Sequence, residues 1–115
     1  MTYIIRDDGR DKEEFNSGAV RDNADGKPRY DLIPPGPLYR LAMHYTNGAK
    51  KYSEHNWTKG MPSNRFLESL MRHLEQYRAG DREEDHLAAV AWNAFGMMFF
   101  EDTEWDNTFD WNKNA

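Results

Sequence analysis

A chain of 115 residues with a net charge of −5 is sized for one compact domain, and 38% hydrophobic residues suffice for a core. The acidic balance argues against a general nucleic-acid or membrane-surface binder, which needs a basic face, and the lack of cysteine removes disulfides and thiolate metal sites. No apolar run reaches the length of a membrane span and "MTYIIRDDGR" lacks a signal peptide's apolar core, so a cytoplasmic protein is expected.

Residues 1–26, rich in Asp, Arg, Gly and Asn, carry no sustained periodicity and read as an extended arm, with Tyr3, Ile4 and Ile5 as a candidate short strand. "GKPRYDLIPPGP" (26–37) holds four prolines and reads as a rigid non-helical lead-in, ending at Pro37 in a suitable first helical turn. Leu38, Leu41, Ala42, Tyr45, Ala49 and Tyr52 then follow helical spacing. Gly48 interrupts that face at a cost of about 1 kcal/mol relative to Ala. "NWTKGMPSN" (56–64) reads as a loop with a helix cap at Ser63 or Asn64. A second helix is predicted over 65–78, with Phe66, Leu67, Leu70, Met71, Leu74 and Tyr77 inward. The short break "AGD" (79–81) predicts an antiparallel return. The third helix, 83–101, is the most apolar, with Leu87, Val90, Ala91, Ala94, Met97 and Met98 together. An acidic tail, 102–115, carries Trp105, Phe109 and Trp111. The expected organisation is an arm (1–26), an all-α domain (27–101) and this tail.

On a helical wheel Glu83, His86, Val90, Asn93 and Met97 share one stripe of the third helix, and three of the five are polar. His73 lies beside Phe66, Leu70 and Tyr77 on the second helix, so folding across Ala79-Gly80 brings it near Glu83 and His86. Taken singly, each is more often structural: a lone inner His is usually a hydrogen-bonded core residue, and acidic residues suit the positive end of a helix dipole. Taken together, carboxylates and His between bundle helices are how helical proteins build metal sites, and oxygen-rich ligation suits Mg²⁺ or Mn²⁺.

"GAKKYSEHNW" (48–57), followed by Arg65 and Arg72, is a second constellation. Lysine is a point-charge phosphate partner, arginine a bidentate one, and a Tyr or Trp within reach can stack on a base. The competing reading is a helix end whose lysines complement the dipole while Trp57 plugs the core. Spacing alone leaves both open.

"GAVRDNADGKPRYDLIP", "GAKKYSEHNW", "SLMRHLEQYRAG" and "DHLAAVAWNA", in this order over about residues 18–100, resemble the phage-rich dATP/dGTP diphosphohydrolase family, related to the MazG-like all-α nucleoside triphosphate pyrophosphohydrolases. Lys27, Arg29, Asp31, Lys51, Tyr52, Asn56, Trp57, Ser69, Arg72, His73, His86 and Asn93 stand at positions that match its motifs. The resemblance implies a MazG-like antiparallel bundle completed as a homodimer or homotetramer. It also implies Mg²⁺- or Mn²⁺-dependent cleavage of a purine deoxynucleoside triphosphate, dGTP or dATP, between the α- and β-phosphates. Some members make dGMP for phage synthesis of 2,6-diaminopurine, which would place the protein in the host cytoplasm. MazG-like enzymes take metal ligands from E-x-x-E on one helix and E-x-x-D on the next. The second helix here has no E-x-x-E, and Glu101-x-x-Glu104 is in the wrong order. Which of Asp81, Glu83, Glu84 and Asp85 takes the ligand role stays open.

The expected site therefore has Glu83, Glu84, Asp85 and His86 as metal ligands, with His73, Asp85 and His86 available for proton transfer. Lys51 and Arg72 would neutralise phosphate charge, and Lys27, Arg29 and Lys50 would add substrate contacts. Tyr52 or Trp57 would stack on the purine, and Asn56 or Asn93 would read its edge. Two rivals remain. An HD-type triphosphohydrolase needs a His-Asp dipeptide, and the chain has only the reverse, Asp85-His86. A non-enzymatic phage interaction protein would use the polar cluster only structurally.

Overall fold

The computed structural model describes residues 2–101. The expected tail, 102–115, lies outside the described residues, as does Glu104 of the E-x-x-E match. The chain divides into two compact units, Met1–Ile33 and Pro34–Ala115.

The first unit is a polar hairpin. Strand β1 (Glu13–Glu14) pairs antiparallel with β2 (Val20–Arg21), Glu13 opposite Arg21 and Glu14 opposite Val20. The intervening turn closes with the Gly18 N–H donating to the Phe15 carbonyl at 2.8 Å, and Gly18 takes a φ of +89°, which glycine adopts without a Cβ penalty. Charged side chains hold the rest: Lys12 reaches Asp7 and Asp22, each at 2.7 Å, and Arg10 donates to the Asp25 and Asn23 carbonyls. The strand thus lies at 13–14 and 20–21, not at Tyr3–Ile5, where Ile5 is 97% exposed. Without a strip of buried apolar partners those three residues have nothing to pair their alternation against. A 3₁₀ turn, Tyr30–Leu32, ends the unit.

The second unit is all-α: α1 (Pro35–Lys51), α2 (Ser63–Arg78) and α3 (His86–Glu101). Pro35 opens α1, where a missing N–H costs nothing. His55, at φ +58°, turns the chain into a 3₁₀ segment, Asn56–Lys59, between α1 and α2. Pro62 occupies the N-cap of α2 with no side-chain cap bond, so the cap expected from Ser63 or Asn64 is not the one used. Gly80, at φ +99°, ends α2 in an αL turn with its N–H on the Tyr77 carbonyl. Among the described residues no helix is long and apolar enough to cross a membrane.

The core explains why the wheel of α3 is rotated from expectation. Its buried stripe is His86, Ala89, Asn93, Gly96 and Phe100, flanked by Ala88. Leu87 and Met98, expected inward, are exposed, Met98 by 58%. The cause is close packing of α2 on α3. Phe66 of α2, 1% exposed, lies against Gly96, where an added Cβ would collide with its ring, within 2.7 Å of Cδ1. Small residues let the backbones approach, so Ala89 and Gly96 win the interface over the larger apolar side chains. Burying a Phe contributes about 1.5–3 kcal/mol. Around it Trp92, Phe100, Trp57, Phe99 and Tyr45 continue as tilted or edge-on ring pairs with centroids 4.9–6.2 Å apart.

Candidate functional site

α3 begins at His86, so Glu83, Glu84 and Asp85 are residues of the α2–α3 turn and not, as the wheel assumed, its first turn. The αL turn at Gly80 places Asp81 under that helix start. Asp81 Oδ1 accepts the Glu83 N–H at 2.9 Å, and its Oδ2 lies 3.0 Å from His86 Nε2. The Glu83 N–H and then the His86 ring hold the Asp81 carboxyl below its ordinary range. His86, 1% exposed, contacts His73 of α2 through its other nitrogen, Nδ1 to Nδ1 at 2.8 Å. Asp81, His86 and His73 therefore form one hydrogen-bonded chain from the turn into the helix interface.

Proton placement along that chain follows from chemistry. An ionised carboxylate only accepts, so with neutral rings His86 Nε2–H donates to Asp81, His86 Nδ1 accepts, and His73 donates from Nδ1, leaving its Nε2 as acceptor. If His86 Nε2 instead serves a metal, its proton sits on Nδ1 and the order reverses: His73 accepts at Nδ1 and carries N–H at Nε2. Burial, then the neighbouring His86, lowers the His73 pKa and favours its neutral form.

Asp81, Glu84 and His86 each offer a ligand atom within 4.8 Å of the other two. Two carboxylates and one imidazole make an oxygen-rich donor set that suits Mg²⁺ or Mn²⁺, with positions left for water and phosphate oxygens. The residues present therefore fit such an ion. Compared with the expected set, Glu84 and His86 are in the group, while Glu83 and Asp85 are not. Asp85 is otherwise engaged: Arg40 of α1 grips it with two bonds, Nε to Oδ2 at 2.8 Å and Nη2 to Oδ1 at 2.6 Å. The same carboxylate accepts the Ala88 N–H at 3.1 Å, capping α3. The guanidinium is the main reason that Asp85 sits at about 2. Asp81, an open ligand candidate on the family resemblance but outside the expected metal set, is brought in by the glycine turn, and Arg40 enters through a long-range pairing that periodicity does not carry. His44 of α1 went unnoticed as well. It is half-buried, 5.8 Å from the Trp92 ring, with its pKa lowered by burial and then by His73. A cavity of about 250 Å³ opens beside the group, lined by Arg40, Tyr77, Arg82, Glu83, Glu84 and Asp85 with His86 and Leu87.

A model of the family described as "dATP/dGTP diphosphohydrolase, N-terminal" matches residues 17–110. The chain belongs to this family. Its name denotes a hydrolase of acid anhydrides acting on nucleotides. No curated protein and no solved structure matches the chain.

Within this diphosphohydrolase-family chain the motif residues separate into distinct places. His73 and His86 meet, with Arg72 next to His73 and 3.4 Å from Glu68. Ser69 and Asn93 meet too: Asn93 is buried and donates to the Ala89 carbonyl at 2.8 Å and towards Ser69 Oγ at 3.4 Å, so it joins α2 to α3. Trp57 packs edge-on against Phe99, Phe100 and Tyr45, the core-filling alternative for this ring. Lys50 and Lys51 end α1, Lys51 over the ring of Tyr52 at 5.2 Å, with Tyr52 65% exposed and Asn56 half-buried in the next turn. These residues sit at the Phe99–Phe100 end of the unit, whereas Arg40 and Asp85 mark the other. Eleven residues of helix separate Arg40 from Lys51, about 16 Å of rise. One chain therefore does not bring Lys50, Lys51 and Tyr52 to the Asp81 group. Lys27 and Arg29 belong to the first unit, where Lys27 lies 3.8 Å from Asp8 and Arg29 is bidentate on Asp31.

Proposed function

We propose that the protein hydrolyses a purine deoxynucleoside triphosphate, dGTP or dATP, to the monophosphate and pyrophosphate with Mg²⁺ or Mn²⁺. The observation that carries the reading is the meeting of Asp81, Glu84 and His86 beside an open cavity in a chain of this family. A divalent ion held by these three supplies phosphate charge neutralisation and activation of water for attack at the α-phosphorus. With His86 Nε2 used as a ligand, His73 carries N–H at Nε2 and is suited to donate to a phosphate oxygen. Glu83 lines the cavity outside the ligand group and accepts the proton of the attacking water. Arg72 adds positive charge beside His73.

The proposed assembly is a homodimer or homotetramer in the cytoplasm. Leu87, Phe95 and Met98 leave one face of α3 exposed, more than a lone three-helix unit ordinarily presents. A second copy packed antiparallel would bring its Lys50, Lys51, Tyr52 and Asn56 to the Asp81 end, which a single chain does not achieve. Tyr52 is then the better base-stacking candidate, and Lys27 and Arg29 remain substrate contacts on the family motif. Phage nucleotide metabolism, including 2,6-diaminopurine synthesis, is the proposed setting. Incubation with each dNTP and Mn²⁺ tests the activity: pyrophosphate released from dGTP or dATP is expected, and intact dGTP and dATP after long incubation would sink it. A purely structural cluster would instead show no divalent-ion-dependent rise in Tm beyond a general salt effect.

A further inference from the structure

Five arginines lie in the described helical unit, and four of them pair with carboxylates. Arg40 pairs with Asp85, Arg65 and Arg72 with Glu68, and Arg78 with Glu75. Arg82 differs. Among the described residues it makes no carboxylate pair; its Nη1 donates to the Tyr77 and Asp81 carbonyls at 2.9 and 2.8 Å. The guanidinium carbon lies 3.9 Å from the centroid of the Tyr77 ring. Arg82 is thus fixed by backbone and ring while keeping its full charge and its remaining N–H groups. It lines the same cavity as Glu84 and His86, on the residue immediately after Asp81.

We infer that Arg82 is the anion-binding side of this cavity, receiving the pyrophosphoryl oxygens of the substrate in a flat, bidentate contact beside the metal ligands. Resting on the function proposed above, this adds a residue that the sequence motifs do not contain. A guanidinium is suited to the task because its fork matches two phosphate oxygens, and stacking on Tyr77 removes most of the ordering cost. Arg40 is less suited, since its Nε and Nη2 are both committed to Asp85, whose charge offsets its own. Glu83, Glu84 and Asp85 also line the cavity, so its walls are net negative against Arg40 and Arg82. Anion binding therefore depends on a divalent cation being present.

Isothermal titration of inorganic pyrophosphate into the full chain, with Mg²⁺ and with chelator, reads this directly. The wild-type chain binds only with Mg²⁺, and Arg82→Gln weakens binding about 10- to 100-fold, the loss expected for a charge-assisted bidentate contact. Mg²⁺ affinity stays unchanged and Tm falls only slightly with the loss of the two carbonyl bonds, which separates anion binding from a role in holding the turn. Equal pyrophosphate affinity in Arg82→Gln overturns the inference while dNTP hydrolysis by the wild type leaves the function standing; absence of both binding and hydrolysis in the wild type overturns both. Should the variant misfold, phenylglyoxal labelling of the wild-type chain decides. Mg²⁺-pyrophosphate should protect Arg82 and leave Arg65 and Arg78 as reactive as before, and unchanged labelling of Arg82 contradicts the assignment.

Discussion

The two ends of the α2–α3 interface are built on one stripe of α3 and differ in what they bury. At the far end, Gly96 and Phe100 meet Phe66, and rings of Trp57 and Phe99 close the packing. At the near end the same stripe buries His86, and the turn below it supplies Asp81 and Glu84. Apolar packing at one end stabilises the pair of helices. The other end places a polar chain where burial is costly unless every group is paired, and the buried side-chain polar atoms among the described residues all find partners. A helix pair held firmly by its aromatic end can keep three chemical groups aligned at the other.

That division predicts variants with different readouts. On the proposed function, Asp81→Asn should lower hydrolysis by roughly 100-fold or more, since it would remove a metal ligand together with the partner that orients His86, while far-UV CD stays native. Activity close to wild type would move chemistry away from the turn. If the lysine end of one copy serves the turn of another, mixing inactive Lys51→Ala and Asp81→Asn chains should recover about a quarter of wild-type activity, one intact site in each mixed dimer. No recovery after verified subunit exchange would break that link between the ends.

Gly96→Ala should act on the aromatic end alone. Forcing a Cβ into the Phe66 ring costs about 1–3 kcal/mol, read as a fall in Tm with Mg²⁺ affinity preserved. The smallest effect belongs to Asp85. Its folded pKa of about 2 lies below the ordinary value of 3.8, so its stabilisation is fully present above about pH 4 and is lost as pH falls through about 2. The pair with Arg40 is partly exposed, with 37% of the Asp85 side chain accessible, so solvent screening reduces the contribution to under about 1 kcal/mol. Acid titration in chelator should show Asp85→Asn flattening that part of the stability curve.

Much of this was legible in the sequence. The three helices follow from apolar spacing, the break at Ala79-Gly80 from its glycine, and the approach of His73 to His86 from folding two helices across that break. The ordered motifs gave the family. The rotation of α3 was not legible, because hydropathy ranks Leu87 and Met98 above Gly96, while close helix approach rewards the residue with no side chain. Asp81 was legible only as one of four open ligand candidates, because the helical stripe ran back through Glu83, whereas the helix begins at His86. Asp85 looked like a ligand because its partner, Arg40, lies 45 residues away and no local pattern couples them.

Mn²⁺ binding to Asp81→Asn, Glu84→Gln and Asp85→Asn, measured by calorimetry on the folded chains, tests the central claim most directly. Asp81→Asn and Glu84→Gln should each weaken Mn²⁺ by about 10-fold or more, whereas Asp85→Asn should bind as the wild type does. Loss of Mn²⁺ in Asp85→Asn with binding intact in Asp81→Asn would contradict the account.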